Sequence, residues 1–207
     1  SFVDLLSDLK QKYWQVLPVG PTIFGDSPYQ PSSGCAGNIY FIDLDKLVDE
    51  GLLEREEILG YNWGTDESEI DYAALHQSRY KILQKAFERF DTNAQEFQDF
   101  VKKQSGWLEQ YALFMTLKTD NLDKNWSEWP NEYRNLQTVA LENYQKKNYN
   151  TITFWKFCQY KFFEQWEDLK NYANSKGIYI IGDISFYVGY DSVDVWADRQ
   201  LFMMSAN

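Results

Sequence analysis

Two polar clusters in this chain carry residue types that can hold a polyhydroxylated ligand. The first lies in "GPTIFGDSPYQPSSGCAGN", residues 20–38, and offers Asp26, Ser27, Tyr29 and Gln30. The second lies in "IYIIGDISFYVGYDSVDVWA" and offers Asp183, Tyr187, Asp191, Ser192 and Asp194. Carboxylates and hydroxyls on short loops bind sugar hydroxyls through charge-assisted hydrogen bonds, and an aromatic ring can lie on the apolar face of a sugar. The same residues also suit a structural role, in which Asp26 and Asp191 cap turns through backbone N–H groups and Asp183 ends a strand. Cys35 and Cys158 are far apart in sequence, with no CxxC pair, so neither a metal site nor a disulfide framework is expected. No cofactor is expected.

The elements that must position these clusters can be read from periodicity. The first loop holds four of the chain's 11 glycines and three of its five prolines, a composition for backbone shapes that other residues resist. It follows an apolar run, residues 13–19, read as a short strand buried on both faces, as in a parallel sheet. Before it, Phe2, Leu5, Leu6 and Leu9 predict an amphipathic helix over 1–12 with no visible N-cap. Asp43 to Glu50 reads as a helix stopped by Gly51. Residues 70–148 are predicted helical, with a stripe through Leu75, Ile82, Leu83, Ala86, Phe87 and Phe90. Thr92-Asn93-Ala94-Gln95 has the form of a capping box opening a second helix. Trp126, Trp129 and Pro130 fall in a turn-rich link. A long helix from about Thr151 to Gly177 is expected to bury Phe154, Phe157, Cys158, Phe162, Gln165 and Trp166. Ile178 to about Ile184 then predicts a second buried parallel strand, whose exit carries the second cluster. Two parallel strands cannot stand alone, so the chain reads as part of a larger α/β protein.

Composition narrows the partners. The 207 residues carry 20 Lys and Arg against 31 Asp and Glu, a net charge of −11. That balance argues against nucleic acid and anionic membranes and leaves a neutral partner open. No run of about 18 apolar residues is present, and Ser1-Phe2-Val3-Asp4 lacks the start of a signal peptide. With the unpaired cysteines, this favours a cytoplasmic location. Aromatic residues make up 18% of the chain, which serves either a large aromatic core or a ring-lined groove.

The stretch "KYWQVLPVGPTIFGDSPYQPSSGCAGNIYFIDLDKLVDEGLL" resembles the amylomaltase, or 4-alpha-glucanotransferase (disproportionating enzyme), family of glycoside hydrolases, whose members show a GPT-x-[YF]-GDSPYQ loop with AGN soon after. The likeness continues through "WLEQYALFMTLK", "NWSEWP" and "FCQYKFFEQWEDLKNYANSKGIYIIGDISFYVGYDSVDVWA". It implies an α/β protein, a partial (β/α)8 TIM barrel with a mostly helical insertion. The barrel would occupy residues 1–58 and 151–207, the insertion 59–150, and later barrel strands would be absent. The implied activity is transfer of α-1,4-glucan segments between maltooligosaccharides by retaining double displacement, with a nucleophile and an acid/base carboxylate about 5 Å apart. The family takes those carboxylates from later strands, so no catalytic residue is expected here and the chain alone is expected to be inactive. Carried over by position, Tyr29 stacks on the sugar beside the cut bond and Ser27 touches the same region. Asp191 binds sugar hydroxyls without reacting. Asp26 shapes the loop by accepting N–H bonds around Ser27 and Tyr29, and Phe24 matches a second glucan site. The chain departs from the family at Ser185, where proline is usual, at Phe24, where tyrosine is frequent, and at Cys35. Two other readings stay open: a non-catalytic α-glucan-binding or scaffold protein, and an α-amylase-type hydrolase.

Overall fold

A computed structural model describes residues 1–23, 25–66 and 68–203. Helix α1 (Phe2–Asp8) leads into strand β1 (Tyr13–Gln15). The first loop follows, then α2 (Leu44–Asp49) and α3 (Arg55–Leu59). The helical middle contains α4 (Tyr72–Arg89), α5 (Gln95–Lys103), α6 (Ser105–Asp120), α7 (Asn131–Arg134) and α8 (Thr138–Lys147). The 27-residue α9 (Tyr149–Ser175) returns the chain to β2 (Tyr179–Ile181), after which comes α10 (Val193–Ala197).

The two strands pair in parallel, Tyr13 with Tyr179, Trp14 with Ile180 and Gln15 with Ile181, as the sequence predicts. Both are shorter than predicted. The Val16 N–H still donates to the Ile181 carbonyl at 3.0 Å, but Pro18 has no N–H to continue the ladder. On the other side, Asp183 turns back and accepts its own neighbour's amide, Ile184 N–H to Oδ1 at 2.8 Å. The expectation of strands buried on both faces is corrected. Trp14 and Ile180 pack on Val3, Ala173 and Ile178 beneath α1 and the end of α9. The opposite face leaves Tyr13 63% and Tyr179 59% exposed, because no helix described here lies over it.

Two other boundaries differ. Helix α1 stops at Asp8 because Lys10 takes φ +57°, and it does have an N-cap: the Ser1 hydroxyl accepts the Asp4 N–H and the Asp4 carboxylate reaches back. The Thr92 capping box does not form. Ala94 occupies the N-cap of α5 without a side-chain bond, and Gln98 reaches back to the Thr92 carbonyl at 2.6 Å.

The core is aromatic. Phe157 and Cys158 of α9 are fully buried against α4, α5 and α6 through Ile82, Leu83, Ala86, Phe97, Tyr111 and Phe114. The same cluster takes in Ala36, Ile42 and Leu47 from the first segment and Val193, Val195 and Trp196 from the last. Trp126 and Trp129 of the turn-rich link are buried here too. Two glutamines of α9 tie the first segment down. Gln159 accepts the Gly37 N–H at 2.7 Å and donates to the Gly37 carbonyl at 3.0 Å, and Gln165 does the same for Asp43 at 2.7 and 3.1 Å.

Candidate substrate site at the strand exits

The loops leaving β1 and β2 interlock. Gly25 (φ +93°) and Asp26 (φ +52°) make the sharp turn of the first loop, a conformation that glycine takes freely and aspartate tolerates better than most residues. The Ser27 hydroxyl then accepts the Tyr29 N–H at 3.3 Å. Asp26 does not collect the N–H groups around Ser27 and Tyr29, as the resemblance implies. Its carboxylate accepts the Thr22 hydroxyl at 3.3 Å, so it holds the loop from the strand side. Phe24 lies outside the described residues.

Tyr29 reaches across to the second loop. Its hydroxyl donates to Asp183 Oδ2 at 2.8 Å, and this bond to a carboxylate pushes the phenol pKa up. Beside it, the Ser185 hydroxyl donates to the Pro28 carbonyl at 2.9 Å, a bond that the family's usual proline could not make. Deeper in, Pro31 accepts the Gly189 N–H at 3.1 Å and Ser32 the Val193 N–H at 2.9 Å. The Gly34 N–H donates to Asp194 at 3.0 Å. Two glycines serve packing rather than ligand approach: a Cβ on Gly37 would lie 1.9 Å from the Phe162 ring, and one on Gly189 would lie 2.4 Å from Ile23.

Asp191 faces the helical middle. One oxygen pairs with Lys118 of α6 and the other accepts the Trp126 N–H at 3.1 Å. The Trp126 indole donates to the Tyr190 carbonyl at 2.7 Å and stacks on the Tyr190 ring, and Arg199 lies 4.3 Å from the centre of the Trp126 ring. The structure thus brings Ser27, Tyr29 and Asp183 together and sets Asp191 on the insertion side of its loop. Neither Lys118 nor Trp126 was assigned to the site from sequence. They are 73 and 65 residues from Asp191, and no local pattern announces such a pairing.

Between the loops and α9 lies an open cleft of about 200 Å³, lined by Pro18, Ser33, Cys35, Phe162, Trp166 and Asp183, among others. It is smaller than the roughly 300 Å³ at which small-molecule pockets usually begin. The Cys35 thiol pKa is pushed up by burial and by the Asp194 carboxylate, so it stays a thiol at neutral pH and is no activated nucleophile. Among the described residues, no group of three His, Cys, Asp or Glu is placed to hold a metal ion, and no helix is long and apolar enough to cross a membrane.

Parallel strands joined through helices, with interlocked polar loops at their C-terminal exits, are the arrangement on which α/β enzymes build their sites. A family model described as 4-alpha-glucanotransferase, glycoside hydrolase family 77, matches residues 1–207. A 4-alpha-glucanotransferase of Streptococcus pneumoniae is 44% identical over 212 residues, covering 100% of this chain and 42% of its own length. One from Thermus thermophilus is 38% identical over 207 residues, covering 98% and 40%. The amylomaltase of Streptococcus agalactiae, solved in complex with acarbose, superimposes with a TM-score of 0.93 at 38% identity, over 99% of this chain and 42% of that one. An amylomaltase from Corynebacterium glutamicum shares the fold, with a TM-score of 0.69 at 16% identity. The chain belongs to the 4-alpha-glucanotransferase family of glycoside hydrolases, and its fold is part of the amylomaltase barrel with a mostly helical insertion. It spans 36–42% of the length of the curated relatives it matches.

Proposed function

We propose that this chain forms the donor-side wall of a 4-alpha-glucanotransferase, which moves α-1,4-glucan segments between maltooligosaccharides by retaining double displacement. The observation that carries the reading is the bond from Tyr29 to Asp183 at the strand exits, within a chain matched end to end by the family. It fixes an aromatic ring that is still 46% exposed and can cover a sugar. The Ser27 hydroxyl accepts the Tyr29 N–H, and its proton stays available as a donor. Phe24 is assigned to a glucan contact by position in the family alone. Asp191 is assigned to the shape of the site: with Lys118 and the Trp126 amide on its oxygens, any sugar hydroxyl it meets must share them.

The nucleophile and the acid/base are assigned to strands outside this chain, whose relatives are more than twice its length. A ring over the reacting sugar also displaces water from the glycosyl-enzyme, which favours transfer over hydrolysis. The acarbose bound by the Streptococcus agalactiae relative supports an α-glucan ligand. Two free cysteines, Cys35 and Cys158, support a reducing, cytoplasmic setting.

The test is an assay with maltotriose. The product of the full reading frame is expected to release glucose and build longer maltooligosaccharides, whereas the 207-residue chain is expected to do neither. Hydrolysis without chain lengthening would favour the amylase-type alternative, and glucan binding without either reaction would favour a binding protein.

A further inference from the structure

A second groove, sharing no residue with the cleft, opens on the helical middle between the end of α6, α7 and α8. It is an open groove with a volume of about 530 Å³. Asp120, Glu132, Tyr133, Asn143, Tyr144 and Lys147 line it. We propose that this groove is an accessory site for an α-1,4-glucan segment, an inference that rests on the glucan reading above.

Three features point to a neutral, polyhydroxylated ligand. First, Tyr133 and Tyr144 form a ring pair with centroids 5.1 Å apart, and the Trp196 indole holds the Tyr133 backbone by donating to its carbonyl at 3.0 Å. A fixed ring partly open to solvent is a surface on which the apolar face of a pyranose can lie. Second, the polar lining mixes donors and acceptors. The Tyr144 hydroxyl donates to Asp120 Oδ2 at 2.5 Å and leaves Oδ1 free to accept. Among the described residues, the side chains of Glu132, Asn143 and Lys147 make no hydrogen bond or ion pair within the protein. Sugar hydroxyls, each both donor and acceptor, match such a rim. An anion does not, because two carboxylates face one ammonium in a chain of net charge −11.

Third, the groove is built against local preference. Asp120 ends α6, where the helix dipole disfavours a carboxylate. Leu122 and Asp123 just beyond it take φ +56° and +58°, and Leu136 between α7 and α8 takes φ +53°. Leucine rarely adopts this conformation, and such strain collects where a surface has a task. Both strained turns flank the groove.

The test is a titration of the 207-residue protein with maltoheptaose, at a concentration at which sedimentation shows it monomeric, followed by ¹H–¹⁵N NMR, in wild type, Tyr29→Ala, Tyr133→Ala and Asn143→Ala. Saturable shifts at Asp120, Tyr133, Asn143 and Lys147 are expected, and they should persist in Tyr29→Ala. Tyr133→Ala should weaken binding at the groove by about tenfold or more, and the exposed, fold-neutral Asn143→Ala by about threefold to tenfold. Shifts confined to the strand-exit loops would overturn the inference and leave the glucan reading intact. A Kd at the groove unchanged in Asn143→Ala would overturn it too. Absence of shifts anywhere in the protein would overturn it as well, and transfer by the full-length enzyme on maltotriose would then separate that outcome from failure of the glucan reading.

Discussion

The Tyr29 hydroxyl is already committed to Asp183, so the work left for Tyr29 is done by its ring. This sets the order of effects in the proposed full-length transferase. Tyr29→Ala removes the ring, its buried area and its exclusion of water. An aromatic contact contributes on the order of 1 kcal/mol beyond area, and about 1.4 kcal/mol is tenfold in rate. Transfer is therefore expected to fall roughly 10- to 1000-fold, with hydrolysis falling less. Tyr29→Phe keeps the ring and loses one hydrogen bond, typically about 0.5–1.5 kcal/mol, so its loss should stay within about tenfold. Initial rates of glucose release and of chain lengthening, measured with the melting temperature on one preparation, check this. A stable Tyr29→Ala enzyme with wild-type transfer would remove Tyr29 from the site. The sequence suggested ligand binding for the types Asp, Ser and Tyr in residues 26–29, but their partners within the protein were not legible. That the Ser27 hydroxyl, and not Asp26, takes the Tyr29 N–H depends on a positive φ at Asp26, which no local pattern specifies.

At the scale of elements, α9 is the organiser. Its Gln159 is fully buried and satisfies both backbone groups of Gly37. Gln159→Leu would leave a buried N–H and a buried carbonyl without partners, at about 1–3 kcal/mol each. The protein is therefore expected to lose about 2–5 kcal/mol of stability, read as the shift in a urea midpoint at constant slope. Helix α3 has a pH-dependent start. The Glu57 carboxylate takes both guanidinium nitrogens of Arg89 at 2.6 and 3.0 Å and the Glu54 N–H at 2.9 Å, and the Arg89 bonds are the main cause that holds its pKa down to about 2. A carboxyl depressed on folding contributes stability above its ordinary pKa and loses it as pH falls, here between about 4.5 and about 2. Melting temperatures from pH 7 to pH 2.5 should fall more steeply for wild type than for Glu57→Gln. The long, strongly periodic α9 was legible because one face of a helix repeats its apolar residues. The strand ends were not, since a strand stops where its partner's hydrogen bonds stop, and Pro18 and Asp183 decide that together. Trp126 and Trp129 looked like link residues because their burial comes from contacts with the distant Tyr190 and Trp196.

For the whole molecule, the aromatic fraction served the core: among the described residues most ring pairs lie on or between α4, α5, α6 and α9, and one cluster binds the first, middle and last segments. The family layout was legible from the two loop motifs, since they sit at two strand exits that do pair in parallel. What the sequence could not give was the surface left over. Only two strands pair among the described residues, so each has an outer edge without a neighbour, and such edges invite pairing with another chain. Beyond them Leu17 is 56%, Ile184 71% and Phe186 90% exposed, and large exposed apolar side chains at one end of a sheet promote association. The 207-residue protein is therefore expected to self-associate as its concentration rises, despite a net charge of −11 that opposes it. Sedimentation velocity from about 5 to 200 μM checks this. Replacing Leu17, Ile184 and Phe186 with serine removes apolar area at roughly 25 cal/mol per Å² without touching the core, so the triple variant should stay monomeric over the same range. Equal association of both proteins would place the contact elsewhere. Loss of association at 0.5 M NaCl would assign it to charge, because burial of these side chains strengthens, if anything, in salt, whereas ion pairs at the surface are screened.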